Sequence, residues 1–247
     1  MPFLHLLGTG AALSDASRTT TMLAFEAESV VVVDCGGDVV HRLLAGGVDL
    51  DRIALLILTH EHPDHIAGFP LFMEKIWLAQ RRRPLPVRGP KAALAQARRI
   101  FETFDTSGWK GLPAIEWGEI PLEEEATVWE DESWRITASP GKHSVPVIGL
   151  RVEDRRDGGR AAYSADTERT SGFERLARGV DLLVHEATGD FAGHTAAGDA
   201  AAVAQAAGAQ RLVLVHLPPG FDGRELEIAR AVFPRTEIGS DGGRFEF

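Results

Sequence analysis

Four side chains of metal-ligand type occur within one segment of six residues. They are His60, His62, Asp64 and His65, in the pattern H-x-H-x-D-H. Imidazole nitrogens and carboxylate oxygens are common ligands of Zn²⁺ in proteins. Because side chains so close along the chain point in diverging directions, one metal ion cannot accept all four comfortably, whereas two ions can divide them. The segment therefore predicts a dinuclear metal site and, with it, a metal-dependent enzyme.

Three more residues of the same kind follow apolar runs further along the chain. They are His143 after the run 134–138, Asp166 after 161–164 and His216 after 212–215. Short apolar runs are typical of buried strands, and in layered α/β proteins a site gathers where strands end. Each residue alone is more often part of an ordinary loop, but together with the first cluster they make seven potential ligands.

The order of the predicted elements favours two layers of sheet. Strands are predicted at 3–7, 22–25, 30–34 and 53–59, then at 127–129, 134–138, 147–152 and 161–164, and finally at 182–185 and 212–216. Helices are predicted at 39–45, 66–80, 91–104, 195–207 and 224–233. This alternation predicts an α/β fold of two sheets that are covered by helices on their outer faces. No linker or repeat divides the chain, so we expect a single domain over residues 1–247.

The composition predicts a globular protein of the cytoplasm. Of the 247 residues, 44% are hydrophobic and 25% are charged, which is ordinary for such proteins. The single cysteine, Cys35, excludes an internal disulfide and fits a reducing compartment. No apolar run has the length of a membrane span, and the first residues do not resemble a signal peptide. The net charge of −10 disfavours broad nonspecific binding of nucleic acids, which depends on neutralising phosphates.

The ligand order resembles that of the metallo-β-lactamase superfamily. The resemblance implies a four-layer αβ/βα sandwich with the site at one edge, between the two sheets. It also implies that His60, His62 and His143 bind one metal, that Asp64, His65 and His216 bind the second, and that Asp166 bridges both. Asp34, which ends an early predicted strand, is similar to the family's aspartate that orients the ligand loop. The alternative for Asp34 is a turn-forming role beside Gly36 and Gly37.

Further motifs resemble the ribonuclease Z group of this superfamily. They are L-G-T-G-A-A at 7–12, H-E-A-T at 185–188 and G-H-T at 193–195. In that group a glutamate and a later histidine form a pair beside the metals, and the histidine gives a proton to the departing oxygen. The resemblance assigns these roles to Glu186 and His194. The alternative is a solvated loop carboxylate and a histidine at the start of a helix.

One feature of that group is missing from the chain. Its enzymes that process transfer RNA carry a long arm of glycine, proline and basic residues. Here Asp166 follows His143 by only 166 − 143 = 23 positions, and no long basic insertion occurs elsewhere. The runs Arg81-Arg82-Arg83 and Arg98-Arg99 could form a small surface for an anionic substrate, although basic residues at helix ends are favourable with the helix dipole in any case. We expect a small phosphodiester or an RNA-derived substrate.

Metal-dependent hydrolysis of a phosphodiester is the expected reaction. Two Zn²⁺ ions would lower the pKa of a shared water and hold it as hydroxide, and Mn²⁺ or Fe²⁺ would also suit the mixed ligand set. Asp64 would orient the nucleophile, and His194, aligned by Glu186, would protonate the leaving oxygen. Two alternatives stay open: hydrolysis of a lactone, thioester or other small carbonyl ester, and a non-catalytic metal-binding module. The resemblance further implies a homodimer.

Overall fold

Two β-sheets of seven strands each form the centre of the molecule. The computed structural model describes residues 1–247. The strands are β1 (Phe3–Gly8), β2 (Met22–Glu26), β3 (Val30–Val33), β4 (Ile53–Ile57), β5 (Leu85–Gly89), β6 (Ile115–Glu119), β7 (Ala126–Glu130), β8 (Trp134–Pro140), β9 (Ile148–Asp154), β10 (Arg160–Tyr163), β11 (Leu182–Glu186), β12 (Arg211–Val215), β13 (Thr236–Ile238) and β14 (Arg244–Glu246). The helices are α1 (Val39–Ala45), α2 (Pro63–Ile66), α3 (Phe69–Leu78), α4 (Lys91–Phe101), α5 (Ser171–Leu176), α6 (Ala197–Ala207) and α7 (Gly223–Val232), with a 3-10 helix at Leu50–Arg52.

The sheets and helices are arranged in four layers. The strand order is β14-β1-β2-β3-β4-β5-β6 in the first sheet and β13-β12-β11-β10-β9-β8-β7 in the second. Between the sheets lies an apolar layer of 24 buried residues, among which Trp134 and Tyr163 are the largest. A second apolar cluster packs the first sheet against α1, α3 and α4, and a third packs the second sheet against α5, α6 and α7. The predicted α/β sandwich of αβ/βα type is therefore confirmed.

Residue types explain why the central strands form. β3 consists of four valines, all buried, and β4 reads I-A-L-L-I with only Ala54 less than fully buried. Such continuous apolar runs are typical of parallel strands that are covered on both faces. β8 differs because it alternates buried Trp134, Ile136 and Ala138 with the more exposed Arg135 and Thr137. Its pattern has the period of two that is expected where one face is in contact with solvent.

The strand directions bring the ends that carry the candidate ligands to one edge of each sheet. In the first sheet β3, β4 and β5 are parallel to one another, and in the second β10, β11 and β12 are parallel. Because β8 and β10 are both antiparallel to β9, they point the same way. The carboxyl ends of β4, β8, β10 and β12 can therefore contribute side chains to one site.

The segment 66–80, predicted as one helix, forms the end of α2 and the separate helix α3. Between them the N–H of Gly68 donates to the carbonyl of Cys35 at 2.8 Å. Pro70, in the first turn of α3, has no N–H. It therefore cannot donate the backbone hydrogen bond that would continue α2 into α3. A Cβ atom at Gly68 would lie 2.3 Å from the carbonyl oxygen of Gly37, so glycine is needed for this close approach. Neither α3 nor any other helix has the length and apolar character to cross a membrane.

Six elements were missed by the sequence prediction, namely β5, β6, α5, β13, β14 and the 3-10 helix at Leu50–Arg52. β5 contains Pro86, which cannot donate a backbone hydrogen bond and so disguises a strand between β4 and β6. β6 is an edge strand in which Glu116 and Glu119 are exposed, and β13 and β14 have only three residues each. The helix predicted at 91–104 ends earlier, at Phe101. Short or edge elements depend on their neighbours and give weak local patterns.

The basic run at residues 81–83 serves the fold at the edge opposite the candidate ligands. Arg81 is buried, and its guanidinium donates to the carbonyl oxygens of Ile53 at 2.8 Å and Pro84 at 2.9 Å. Burial lowers the pKa of Arg81 to about 10, with a further contribution from Arg83. Ile53 begins β4, whereas the ligand segment follows the other end of that strand. This run therefore does not form the small substrate surface considered from the sequence.

The replacement Gly68→Ala tests the helix break. It is expected to lower the free energy of unfolding by about 1–3 kcal/mol, the usual cost of forcing extra atoms into a packed site, because the new methyl group would lie within 2.6 Å of two backbone oxygens. Urea unfolding monitored by circular dichroism measures the change. Gly223→Ala at the start of α7 is the matched control, since nothing lies within 4 Å of the added atom. Equal stability of Gly68→Ala and the parent would contradict this account.

Candidate metal centre

All seven predicted metal ligands meet at the carboxyl edge of the two sheets. The first sheet supplies His60 after β4 and His62, Asp64 and His65 around α2, and the second supplies His143 after β8, Asp166 after β10 and His216 after β12. His62 caps the start of α2, and Pro63 takes the first helical position, where its missing N–H has no cost. Because α2 follows β4 after a short connection, the segment 60–65 lies beside His143, Asp166 and His216, which are distant in sequence.

One group of ligand atoms centres on His62. Its Nδ1 lies 3.2 Å from Nε2 of His60 and 3.1 Å from Nε2 of His143. Oδ2 of Asp166 lies 3.9 Å from each of those two Nε2 atoms. These four residues present atoms that all lie within 4.8 Å of one another. Three imidazoles and one carboxylate at this spacing form a set that can hold a metal ion.

A second group centres on Asp64. Its Oδ2 lies 3.4 Å from Nε2 of His65 and 3.3 Å from Nε2 of His216. Asp166 also reaches this group, because its Oδ1 lies 3.5 Å from Nε2 of His65 and its Oδ2 lies 3.3 Å from Nε2 of His216. Asp166 is thus the residue that faces both groups of ligand atoms.

Two buried polar atoms fit the chemistry of a metal ion. Nε2 of His65 and Oδ1 of Asp166 are inaccessible to solvent and have no hydrogen-bond partner. Leaving buried polar atoms unpaired costs free energy, and such exceptions call for an explanation such as a bound ion. Both atoms point into the ligand cluster, and imidazole with carboxylate is a donor set that suits divalent transition metals. The residues present therefore fit a divalent metal.

The charges of the cluster lead to the same conclusion. Burial alone would raise the pKa of Asp166, but His216 and His65 beside it hold that pKa well below its ordinary value. Burial and the proximity of His65 lower the pKa of His60, which keeps the His60 ring neutral, as a metal ligand must be. Burial would also lower the pKa of His65, yet Asp166 and Asp34 raise it well above its ordinary value. The carboxylates thus favour positive charge beside His65.

Asp34 orients two of the predicted ligands from beneath the cluster. Its Oδ1 accepts from the N–H of Thr59 at 2.8 Å, and its Oδ2 accepts from the Thr59 hydroxyl at 2.8 Å and from Nδ1 of His65 at 2.8 Å. The Thr59 oxygen lies 3.0 Å from Nδ1 of His60. Because its own proton is given to Asp34, that oxygen accepts from His60. Both rings therefore hold their protons on Nδ1 and turn the free Nε2 towards the cluster.

The second sheet repeats this arrangement with Glu186 and Thr188. Oε2 of Glu186 accepts from the N–H of Thr188 at 3.1 Å and from its hydroxyl at 2.6 Å. The same hydroxyl oxygen lies 2.7 Å from Nδ1 of His216. Each sheet thus contains a buried carboxylate, a threonine and a ligand histidine joined in series. In both cases the threonine fixes the protonated nitrogen of the ring and leaves Nε2 for a metal.

Glu186 also holds His194, the other half of the pair predicted from the sequence. Nδ1 of His194 lies 3.1 Å from Oε1 and 3.2 Å from Oε2 of Glu186. Burial would lower the pKa of His194, but the Glu186 carboxylate raises it above its ordinary value. One ring nitrogen of His194 lies within 4.8 Å of ligand atoms of Asp166 and His216. Glu186 is fully buried, so the solvated-loop alternative for it is wrong.

The sequence reasoning missed three positioning residues. Thr59 and Thr188 carry the hydrogen bonds just described, and the carbonyl oxygen of Gly193 accepts from Nδ1 of His143 at 2.7 Å. Gly193 has a φ of +85°, and a Cβ atom there would lie 2.8 Å from Nδ1 of His143. Three features of the sequence point to these residues: Thr59 precedes His60, Thr188 is the last residue of the H-E-A-T motif, and Gly193 precedes His194. None of them says which ring each residue contacts.

Three residues that follow strands have an unusual backbone conformation beside the cluster. Asp34, Ala165 and His216 have φ values of +61°, +50° and +55°, the left-handed region that non-glycine residues rarely adopt. Each follows the end of a strand, namely β3, β10 and β12. Such local strain is retained where the surrounding structure determines it, and it concentrates at functional sites.

A family model of the beta-lactamase superfamily domain matches residues 30–217, from β3 to just beyond His216. The chain belongs to the beta-lactamase superfamily. The matched region includes all seven ligand residues, Asp34 and the pair Glu186 and His194. The predicted family is confirmed.

Relatives of this beta-lactamase superfamily chain include ribonuclease Z proteins. The ribonuclease Z of Methanothermobacter thermautotrophicus is 28% identical over 294 residues, covering 95% of this chain and 93% of the relative. The structure of human tRNase Z, short form, has a TM-score of 0.81 at 24% identity, covering 99% of this chain and 98% of that one. The metallo-beta-lactamase fold protein YhfI from Bacillus subtilis has a TM-score of 0.82 at 24% identity with full coverage of both chains. With the ligand cluster, these similarities support the predicted metal-dependent hydrolase.

The relative from Methanothermobacter thermautotrophicus is longer than this superfamily member. The alignment extends over 294 residues, whereas the present chain has 247, so the relative has at least 294 − 247 = 47 residues that have no counterpart here. The difference agrees with the absence of a long arm in the sequence.

The replacement Thr59→Val tests the hydrogen-bond series beneath the cluster. Valine has the same shape but cannot bridge Asp34 and His60, so we expect the affinity for divalent metal to fall by about 10- to 100-fold, the usual effect of such outer partners. Titration of the metal-free protein with Zn²⁺ against a competing chelator measures the change. Thr127→Val, on the exposed side of β7, is the control and should bind metal like the parent. An unchanged affinity in Thr59→Val would refute the assigned role.

Proposed function

We propose that the protein is a phosphodiesterase that uses two divalent metal ions, most suitably Zn²⁺. The observation that carries the proposal is the hydrogen-bonded pair of Glu186 and His194 directly beside seven converging metal ligands. A metal cluster alone serves many hydrolases. A histidine held by a buried carboxylate next to that cluster adds a proton donor, which a departing alkoxide needs and a departing thiolate does not.

The two groups of ligand atoms define the proposed metal sites. His60, His62 and His143 would hold one ion, Asp64, His65 and His216 the other, and Asp166 would contact both. When bound, such ions neutralise charge on phosphate oxygens and lower the pKa of a water molecule. The support for this division is that Asp166 approaches His60 and His143 on one side and His65 and His216 on the other.

The remaining roles follow from the hydrogen bonds of the chain. Because Glu186 holds Nδ1 of His194, Nε2 is the nitrogen left to give a proton to the leaving oxygen. The carboxylate also stabilises the protonated ring, which is the form that the acid needs. Asp64 would orient an attacking water, a role that is supported by its exposure, since 12% of its side chain is accessible against 3% for Asp166. Thr188 and Thr59 keep the ligand rings in one tautomer.

Small diesters are the proposed substrates. The relatives named ribonuclease Z support cleavage of a phosphodiester bond in an RNA-derived molecule. Two features of this chain weaken the case for a large RNA, namely the absence of at least 47 residues that a relative has and the net charge of −10. A polyanion approaching an acidic protein without a basic arm lacks the contacts that neutralise its phosphates. We further propose that residues 1–247 act as one domain and that the protein is a homodimer, which light scattering would test.

The replacement His194→Ala tests the proton donor through the leaving group. For a dinucleoside monophosphate, whose leaving alkoxide must be protonated, we expect kcat/KM to fall by about 10²- to 10⁴-fold. For bis(p-nitrophenyl) phosphate, whose leaving phenolate is stable as an anion, the loss should be much smaller. His41→Ala, an exposed helix position, is the control, and metal content is measured on the same samples. Equal losses on both substrates would mean that His194 is not the acid.

A substrate panel separates the proposal from its rivals. The metal-loaded protein is assayed with a precursor transfer RNA, a 2′,3′-cyclic nucleotide, bis(p-nitrophenyl) phosphate, a lactone and a thioester. We expect turnover of the small phosphodiesters and little or none of the RNA. Turnover of the lactone or thioester alone would favour the carbonyl hydrolase, and two bound metals without any hydrolysis would favour the binding module.

A further inference from the structure

A cavity of about 350 Å³ lies beside His194, outside the metal cluster. It is bounded by the residues that follow Asp166, by segment 190–195 and by the first turn of α6. His194 belongs to its wall and also lies within reach of Asp166 and His216. The cavity therefore adjoins the point at which a proton would be given to a leaving oxygen.

The position of the cavity defines which part of a substrate it can receive. In the proposed function the phosphorus and its charged oxygens lie at the metals, and the leaving oxygen lies at His194. The group attached to that oxygen must then extend past His194. This cavity adjoins His194 and has room for such a group.

Phe191 gives the cavity a flat apolar face. Its side chain is 55% exposed, so it contributes little to the core. Its ring centre lies 4.9 Å from that of His194, with the planes inclined at 52°. An exposed aromatic ring next to a catalytic group is a platform on which a nucleic acid base can stack, and every base has the required π-face.

The charges around Phe191 oppose an anionic leaving group. Glu168, Asp190 and Asp199 all line the cavity. Glu168 pairs with Lys142 at 2.5 Å and Arg169 pairs with Glu174 at 2.6 Å. Asp190 and Asp199 are therefore the carboxylates of the wall that have no ion pair. Asp199 is in the first turn of α6, where a carboxylate is favourable in any case, but Asp190 forms no ion pair or hydrogen bond within the chain. A further phosphate in this space would be repelled.

We propose that the cavity binds an uncharged nucleoside as the leaving group, with its base stacked on Phe191. This inference rests on the proposed phosphodiesterase function and names the substrate class of that site. The nucleoside combines the flat ring that Phe191 can stack on with the absence of charge that the acidic wall requires. A cationic alcohol such as choline would also suit the carboxylates, but sites for quaternary ammonium groups use several aromatic rings as a cage. Phe191 is the only phenylalanine, tyrosine or tryptophan in the cavity wall.

The first test uses diesters that differ only in the leaving group. Methyl adenosine 5′-phosphate is compared with the same ester lacking the base and with the same ester bearing a second phosphate on the 3′ oxygen. We expect release of adenosine, with kcat/KM about 5- to 150-fold above that of the base-free ester, the range that stacking on one aromatic ring provides. Phe191→Ala should abolish this difference.

Matched controls come from the opposite edge of the sheets. Phe104→Ala removes a ring with the same 55% exposure beyond the end of α4, and should keep the preference for the base. Asp190→Asn should raise the rate of the doubly phosphorylated ester about fivefold relative to the parent ester, whereas Asp51→Asn, an exposed position before β4, should not. Equal effects of Phe191→Ala on the esters with and without the base, or a faster reaction of methyl phosphocholine, would overturn the proposal.

A binding measurement separates this inference from the proposed function. Adenosine alone is titrated into the metal-loaded protein and into Phe191→Ala by calorimetry. If no diester is hydrolysed but adenosine binds and Phe191→Ala weakens it by at least fivefold, the nucleoside cavity stands and the phosphodiesterase proposal fails. If diesters are hydrolysed but Phe191→Ala leaves adenosine affinity unchanged, the cavity assignment is wrong and the phosphodiesterase proposal stands.

Discussion

The buried carboxylate of Asp34 is the constraint on which the metal cluster depends. It accepts three hydrogen bonds, from the N–H and the hydroxyl of Thr59 and from the ring of His65. These bonds join the ends of β3 and β4 to α2, so one group orients His65 directly and His60 through Thr59. A buried carboxylate without such partners would be strongly destabilising. The backbone at Gly36 packs directly against the backbone at Asp64, since a Cβ atom at Gly36 would lie 1.6 Å from the carbonyl oxygen of Asp64.

Glu186 occupies the corresponding place in the second sheet and orients two histidine rings. Through Thr188 it fixes the ring of His216, and directly it holds the ring of His194. A predicted metal ligand and the proposed acid are therefore oriented by the same carboxylate, which also accepts from the N–H of Thr167 at 2.8 Å. Because these bonds share one carboxylate, the effects of substitutions at Glu186 and His194 are not expected to add.

How much the sequence could predict depends on the range over which each signal acts. The seven ligands were predicted because polar residues directly after apolar runs are a local pattern, and the sandwich was predicted because runs such as 30–33 and 53–57 are continuous. β5 was missed because Pro86 interrupts its pattern. The roles of Thr59 and Thr188 were missed because a hydroxyl reveals its partner only when two strand ends are brought together. Contacts across the fold, rather than residue types, decided those positions.

The division of the ligands between the sheets has a consequence for how the chain can change. The sheet of β1 to β6 carries four of the predicted ligands and the other sheet carries three, so neither half of the chain contains a complete set. The distance between the two sets is maintained by the apolar layer of 24 residues between the sheets. A substitution deep in that layer would alter the spacing of ligands that it never touches. Natural selection for the reaction therefore also acts on the thickness of the apolar layer between the sheets.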